Sequence, residues 1–204
     1  MDDLGRELRE RLRGKAPDPE EIRSLLDSAG HAARVAATRT LGRREQRALY
    51  AAVEGRLPVR LVDLVPPRVD AWSEVRHHGK NTLPAFTHFE KRFCRPSDED
   101  REKPSALHGF NFQTMSPLTG PGYFVAVDDP ARGEVRIDYR RVPDRHPAGW
   151  PEIRSNERGL ARLVYGFMVD TLRRVAEHVT IGSAARNGRD LGSWFVLVRE
   201  DPAA

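Results

Sequence analysis

The stretch from Pro151 to Glu200 constrains the fold more than any other part of the chain. The dipeptide Asn187-Gly188 lies between two strand-like segments, and the second of these contains the apolar run Ser193–Val198. Asn-Gly is the strongest short signal for a β-hairpin, because a type I′ turn needs positive φ at both central residues. The sequence therefore predicts that the chain ends in an antiparallel hairpin.

The residues before this hairpin have the spacing of one long amphipathic helix. Apolar side chains recur on one helical face between about residues 156 and 178, and Ser155 can cap the start. This face comprises Leu160, Leu163, Val164, Phe167, Met168, Thr171, Leu172 and Val175. In this interpretation Asp170 is an exposed helical residue or pairs with Arg173 or Arg174.

Upstream segments alternate between polar and apolar residues, as antiparallel strands do. The alternation predicts strands over Leu107–Met115, Tyr123–Val127 and Glu134–Arg141, and a hairpin joins the last two. In the third strand, Val135, Ile137 and Tyr139 are predicted to face the core.

The segment 82–95 fits two structures. Phe86, Phe89 and Phe93 have helical spacing, and we favour the helix. An edge strand with Phe89, Lys91 and Phe93 on one face is the alternative.

Together these patterns predict an α+β fold: a curved, mainly antiparallel sheet packed against one long C-terminal helix, with an N-terminal helical layer. A sheet of this size can also curl into a half-open barrel around the helix.

The N-terminal 66 residues have the sequence pattern of several short helices. Asp18 is a predicted N-cap with Pro19 at the first helical position. Gly30 weakens the middle of the helix that begins there, so this helix can bend or break at Gly30. Gly42 and Gly55 end helices. We expect a helical layer over residues 1–66 and an α+β sheet domain over 67–204, together forming one compact unit.

The composition limits the partners. The sequence has 30 arginines and four lysines, and 30 acidic residues reduce the net charge to +4, so few bases are left to neutralise phosphates. Nucleic acid is therefore not the expected partner, and the excess of arginine is typical of a GC-rich bacterial genome.

No apolar run is long enough to span a membrane, and the acidic N-terminus is unlike a signal peptide. Cys94 is the only cysteine, which fits a cytoplasmic protein, and a homo-oligomer through edge strands is left open.

The leading functional hypothesis is that the protein binds a small, partly apolar ligand between the sheet and the helix 156–178. Aromatic residues on alternating strands and a Gly/Pro-rich loop at 116–122 support it. The predicted lining is Phe110, Phe112, Tyr123, Arg140 and Tyr165.

A histidine-dependent enzyme is the first alternative. His88 or His108 would act as acid or base, Cys94 is a weaker candidate nucleophile, and the loop 116–122 would hold the substrate. No usual metal-ligand spacing occurs among the histidines and Cys94, and neither a metal nor a cofactor is predicted.

The second alternative is an interaction module that binds a partner or nucleic acid through the N-terminal helices. Its candidate residues are Arg34, Arg39, Arg43, Arg44 and Arg47. The ordinary interpretation of such a cluster is a solvated helix face.

Overall fold

The computed structural model describes residues 3–14, 16–113, 120–157 and 159–201. Its helices are α1 (Asp3–Arg13), α2 (Pro19–Asp27), α3 (His31–Arg39), α4 (Arg43–Ala52), α5 (Leu61–Leu64) and α6 (Gly159–Val164). Its strands are β1 (Val75–Asn81), β2 (His88–Cys94), β3 (Leu107–Phe112), β4 (Tyr123–Asp129), β5 (Glu134–Asp138), β6 (Met168–Ala176), β7 (Val179–Arg186) and β8 (Arg189–Arg199).

The eight strands form a closed barrel in which every strand pairs antiparallel with its neighbours in the sequence. The barrel closes where β1 pairs with β8, with Gly79 opposite Leu197. Closure pairs both edges of the sheet, so the ladder continues around the whole barrel.

The predicted fold class is therefore wrong. The sheet is a closed barrel rather than an open curved layer, and in the described part of the chain no long C-terminal helix packs against it. The region predicted as one helix from 156 to 178 contains only the short helix α6 and then the strand β6.

Strand β6 resembles a helix in sequence because both of its faces are covered. Asp170 and Leu172 face the barrel interior, while Val175 faces the N-terminal helices. Buried residues on both faces remove the simple alternation that identifies a strand with one wet face. Phe167, with φ of 58°, separates α6 from this strand.

The segment 82–95 contains β2, so the helix that we favoured is not formed there. The structure matches the alternative, because Phe89, Lys91 and Phe93 all face the interior. The strand is not at an edge, since β2 pairs with both β1 and β3.

Several local predictions are confirmed. The Asp18 carboxylate accepts hydrogen bonds from the main-chain N–H groups of Glu20 and Glu21 at the start of α2. The predicted hairpin connects β4 and β5. Asn187 and Gly188 turn between β7 and β8 with φ of 50° and 74°, as a type I′ turn requires.

Apolar cores lie on both sides of the barrel wall. The inner core lies inside the barrel and includes Phe93, Phe124 and Leu172. The outer core lies between the N-terminal helices and the outside of β6, β7 and β8, and includes Leu26 and Ile181. The helical layer thus covers the barrel wall from outside.

A buried ion pair connects α4 to the barrel. Arg173 of β6 donates from Nε to Glu134 at 2.7 Å and from its terminal nitrogens to Glu54 and the main-chain oxygen of Tyr50, both at 2.8 Å. Its guanidinium also lies 3.9 Å from the Tyr50 ring centroid. These contacts of Arg173 join the helical layer to β5 and β6.

The segment around α5 closes one end of the barrel. Leu61, Leu64 and Val65 join the inner core, and the main-chain oxygen of Leu64 accepts a hydrogen bond from His77 at 3.0 Å. The opposite end, near α6 and the β1–β2 loop, contains the cavity described below. Among the residues that the structure describes, no helix has the length and apolar character needed to cross a membrane.

Candidate functional site

A cavity of about 340 Å³ opens at the end of the barrel opposite α5. Phe89 of β2, Phe195 of β8 and Met168 of β6 contribute to its wall, together with Tyr165 from the turn after α6. Two leucines at the rim, Leu83 and Leu191, are 49% and 43% exposed. An eight-stranded barrel is just wide enough to be filled by side chains or to hold one small ligand.

The floor of this cavity is a buried polar cluster of Lys91, Asp170, Tyr139 and Asn111. The Lys91 ammonium donates to Asp170 Oδ2 and to Asn111 Oδ1, both at 3.0 Å, and to the Tyr139 hydroxyl. The Tyr139 hydroxyl donates in turn to Asp170 Oδ2 at 3.2 Å and accepts from Asn111 Nδ2 at 2.8 Å. We call these four residues the polar floor.

Aromatic rings surround the Lys91 ammonium. Its nitrogen lies 4.9 Å from the ring centroid of Phe195 and 5.2 Å from that of Phe124. The negative faces of such rings stabilise a desolvated cation. Lys91 therefore has an ionic partner, hydrogen bonds and ring contacts within the barrel.

Burial changes the protonation behaviour of the polar floor. Desolvation lowers the pKa of Lys91 and raises the pKa of Asp170, and the attraction between the two charges opposes both shifts. Desolvation, reinforced by the nearby Asp170 carboxylate, raises the pKa of Tyr139 well above its usual value. Tyr139 therefore remains a neutral hydrogen-bonding group at any ordinary pH.

One oxygen of the polar floor is left unpaired. Asp170 Oδ2 accepts from Lys91 and Tyr139, but Asp170 Oδ1 is buried and has no hydrogen-bond partner among the residues that the structure describes. Buried carboxylate oxygens are normally satisfied, because an unmade hydrogen bond leaves a desolvated charge. Since Asp170 lines the cavity, a bound molecule can supply this missing donor.

Of the five residues predicted to bind a ligand, only Tyr165 lines this cavity. Its ring stacks on Tyr139 with the centroids 5.5 Å apart, and its hydroxyl accepts from Gln113 Nε2 at 2.8 Å. Tyr165 thus extends the polar floor along the wall.

The other four predicted residues lie outside the barrel interior. Phe110 and Phe112 line a separate surface depression of about 520 Å³, where the Arg92 guanidinium lies 4.2 Å from the Phe112 ring centroid. Tyr123 is buried beside Phe110 and donates from its hydroxyl to the main-chain oxygen of Pro151 at 2.5 Å.

Arg140 also points away from the cavity. Its guanidinium makes two hydrogen bonds to the Asp138 carboxylate, at 2.7 and 2.8 Å, on the outer face beyond β5. The structure therefore does not bring the five predicted residues into one site. The loop 116–122 lies mostly outside the described residues, which resume at Gly120.

The candidate catalytic residues also lie on the outer face of the barrel. His88 is exposed at the start of β2, whereas Cys94 and His108 are neighbours across the β2–β3 ladder. Burial raises the pKa of Cys94 to about 12, which disfavours the thiolate that a nucleophilic cysteine needs. His108 donates from Nδ1 to the main-chain oxygen of Arg145 at 3.1 Å, and burial lowers its pKa.

The N-terminal arginines differ in their surroundings: Arg39, Arg44 and Arg47 are exposed. Arg34 is buried and donates to the main-chain oxygen of Ala29 at 2.9 Å, while Arg43 stacks on Trp194. In the described ranges, no group of three or more His, Cys, Asp or Glu side chains could hold a metal ion.

The sequence interpretation missed Lys91 and Asp170 as site residues. Asp170 was assigned to an exposed helical position, although it is 2% exposed on β6. The available signal was the alternation Phe89, Lys91, Phe93, which buries a lysine between two phenylalanines if the segment is a strand.

The fold and the cavity define a class of protein: a closed antiparallel β-barrel with an internal cavity and a helical cover. Comparison with known proteins adds no narrower assignment, since no family model and no curated protein matches this chain.

Proposed function

We propose that this protein binds a small, largely apolar molecule inside the open end of the barrel. The observation that carries the proposal is a cavity of about 340 Å³ whose mainly apolar wall ends at the buried Lys91–Asp170 pair. Small-molecule sites typically combine an apolar concave wall with a few fixed polar groups that orient the ligand.

The polar floor would be rigid enough to orient a ligand. Lys91 and Asp170 are each 2% exposed, and both lie in the middle of paired strands rather than on loops. Groups that are already ordered lose little conformational entropy when a ligand arrives, which favours binding. The apolar rim at Leu83 and Leu191 would also be covered by the bound molecule.

This proposal keeps the predicted class of ligand and changes the location of the site. The ligand would lie within the barrel and not under a long helix, with Tyr165 retained from the predicted lining. A cytoplasmic location and a bacterial source remain part of the proposal, supported by the single cysteine and by the excess of arginine over lysine.

The first prediction is that filling the cavity abolishes binding. Ala184 of β7 lines the cavity, so Ala184→Phe should occupy the space that a ligand needs. We expect the variant to bind the neutral fluorescent probe N-phenyl-1-naphthylamine about tenfold more weakly or worse, which corresponds to about 1.4 kcal/mol. Fluorescence titration measures the dissociation constant.

Ala185→Phe provides the matched control. Ala185 is adjacent on β7, so its side chain points to the opposite face of the barrel wall. This variant should bind the probe as the native protein does. Equal affinity in all three proteins, or no binding by the native protein, would refute the proposed function.

A further inference from the structure

Lys91 and Tyr139 direct their hydrogen-bond donors to other residues of the polar floor. Lys91 directs its three N–H groups to Asp170, Asn111 and Tyr139, and the single Tyr139 hydroxyl hydrogen goes to Asp170 Oδ2. Asp170 Oδ1 receives none of these donors and is buried beside the cavity. Because Asp170 lines the cavity, a molecule bound there can supply the missing donor.

The charge balance of the floor limits what that group can be. The positive charge of Lys91 is already paired with the negative charge of Asp170 at 3.0 Å, so the floor is neutral overall. A ligand carboxylate cannot donate to Asp170 Oδ1 and would place a second negative charge beside it in a low-dielectric interior. A neutral hydroxyl group supplies the missing donor without adding charge.

We infer that the ligand carries an alcohol or phenol hydroxyl that donates its hydrogen bond to Asp170 Oδ1, and that the cavity rejects carboxylates with the same apolar body. This inference rests on the proposed function and names the chemical class of its ligand. The apolar body lies against Phe89, Phe195 and Met168, while the hydroxyl reaches the polar floor.

Arg186 is a second cation that lines the cavity, but it is held at the rim and not at the polar floor. It donates from Nη2 to the main-chain oxygen of Val164 at 3.0 Å, next to the helix α6 at the open end. The polar floor and not this rim cation receives the ligand head group in our assignment, because the unpaired acceptor is at the floor.

The test compares three competitors that share one alkyl chain: 1-decanol, 1-methoxydecane and decanoate. Each displaces N-phenyl-1-naphthylamine from the native protein in a fluorescence titration. We expect 1-decanol to compete at a concentration about tenfold lower than the other two, as one lost hydrogen bond or one added charge at a buried acceptor implies.

Asp170→Asn tests whether the Asp170 carboxylate is the group that selects a hydroxyl over a carboxylate. The substituted amide presents a donor and leaves the Lys91 charge uncompensated, so decanoate should now compete better than 1-decanol. Circular dichroism verifies the fold of this variant. If it does not fold, Lys91→Met/Asp170→Leu removes both charges and the acceptor oxygen. Replacing a whole buried pair by apolar residues is tolerated better than breaking it, and the double variant should bind 1-decanol and 1-methoxydecane equally.

Asp138→Asn is the matched control, because Asp138 pairs with Arg140 outside the cavity. It should keep the preference for 1-decanol. If the native protein binds the probe but 1-decanol and 1-methoxydecane compete equally, or decanoate competes best, the inference is overturned while the proposed function stands. If the probe does not bind at all, the proposed function itself fails.

Discussion

Lys91 brings a charge into the barrel, where an isolated ammonium group would be strongly disfavoured. Asp170, two further hydrogen bonds and the surrounding aromatic rings offset this desolvation. A buried ion pair of this kind contributes little net stability, but removal of one partner is costly because it leaves the other charge unpaired. In the proposed function, this pair supplies the fixed polar groups that orient a ligand.

A second buried polar residue, His77, makes stability depend on pH. Its Nε2 donates to the main-chain oxygen of Leu64, its ring packs against Phe93, and burial lowers its pKa to about 3. The positive charges of Arg199 and Lys91 also oppose protonation. The folded state therefore holds this histidine neutral, whereas the unfolded chain protonates it near pH 6.5.

We predict that the protein loses stability as the pH falls from about 6.5 towards 3. In this range the unfolded state binds more protons, so the free energy of unfolding decreases by up to about 5 kcal/mol from His77 alone. Urea unfolding at several pH values measures this slope. In His77→Gln the titrating group is absent, and the decrease should be smaller by that contribution.

Parallel pH profiles for the native protein and His77→Gln would contradict this prediction. The comparison is between slopes and not absolute stabilities, because the substitution also removes the ring contact with Phe93. Other titrating groups contribute equally to both profiles and cancel.

At the scale of single residues, the sequence predicted positions that depend on a local pattern and missed those that depend on a distant partner. Tyr139 was predicted to face the core and does so, because the alternation of β5 is local and clear. Asp170 could not be placed from the sequence, because its partner Lys91 is 79 residues away. Only the closed barrel brings the two together.

Glycines facing aromatic rings across the ladder shape the strands of the barrel. Gly182 of β7 is opposite Phe195, Gly109 of β3 is opposite Phe124, and Gly79 of β1 is opposite Phe89. In each pair the ring lies where a Cβ atom would be, at 2.2 to 2.6 Å from its ideal position. These pairs let large rings fit inside a narrow barrel, and glycine also permits the strand to bend.

We predict that Gly182→Ala destabilises the protein by about 1–3 kcal/mol, the usual cost of forcing extra atoms into a packed core. The added methyl group would displace the Phe195 ring from its position over β7. Thermal or chemical unfolding measures the change. Gly14→Ala is the control: the nearest atom to its Cβ position is the main-chain oxygen of Arg11, at an ordinary contact distance of 3.4 Å, and it should change stability by no more than about 0.5 kcal/mol.

A double variant tests the physical reason. Gly182→Ala combined with Phe195→Leu should lose less stability than the sum of the two single variants, because the smaller side chain gives space to the added methyl group. Strict additivity would show that the contact between the ring and the glycine is not the cause.

Single elements were predicted well where the determining contacts are local. The Asp18 cap, the break at Gly30 and the Asn187-Gly188 turn all depend on residues adjacent in sequence. The strands β2 and β6 were assigned to helices because apolar residues at three- and four-residue spacings also fit a strand buried on both faces. Aromatic spacing alone could not distinguish these cases.

The whole molecule depends on the contact between the barrel wall and the helices. Buried valine and isoleucine side chains on the outer wall pack against the helical layer: Val175, Val179, Ile181, Val196 and Val198. Without the helices they would form a contiguous apolar surface. The ion pair of Arg173 with Glu134 and Glu54 also joins the two parts.

We predict that deleting residues 1–55 yields a protein that associates or aggregates, because the outer wall of β6 to β8 becomes exposed. Size-exclusion chromatography with light scattering measures the mass. The 204-residue chain, run in parallel, should elute as one monodisperse species. A monodisperse, folded truncated barrel would contradict this expectation and show that the helical layer folds separately.

The sequence alone determined the turns, the caps and the alternating strands of this protein, together with the expectation of a small, partly apolar ligand. These depend on local backbone preferences and side-chain patterns, which act over a few residues. The tertiary structure decided the closure of the barrel, the identity of β2 and β6, and the meeting of Lys91 with Asp170. These depend on which faces are covered by distant parts of the chain, and no local preference contains that information.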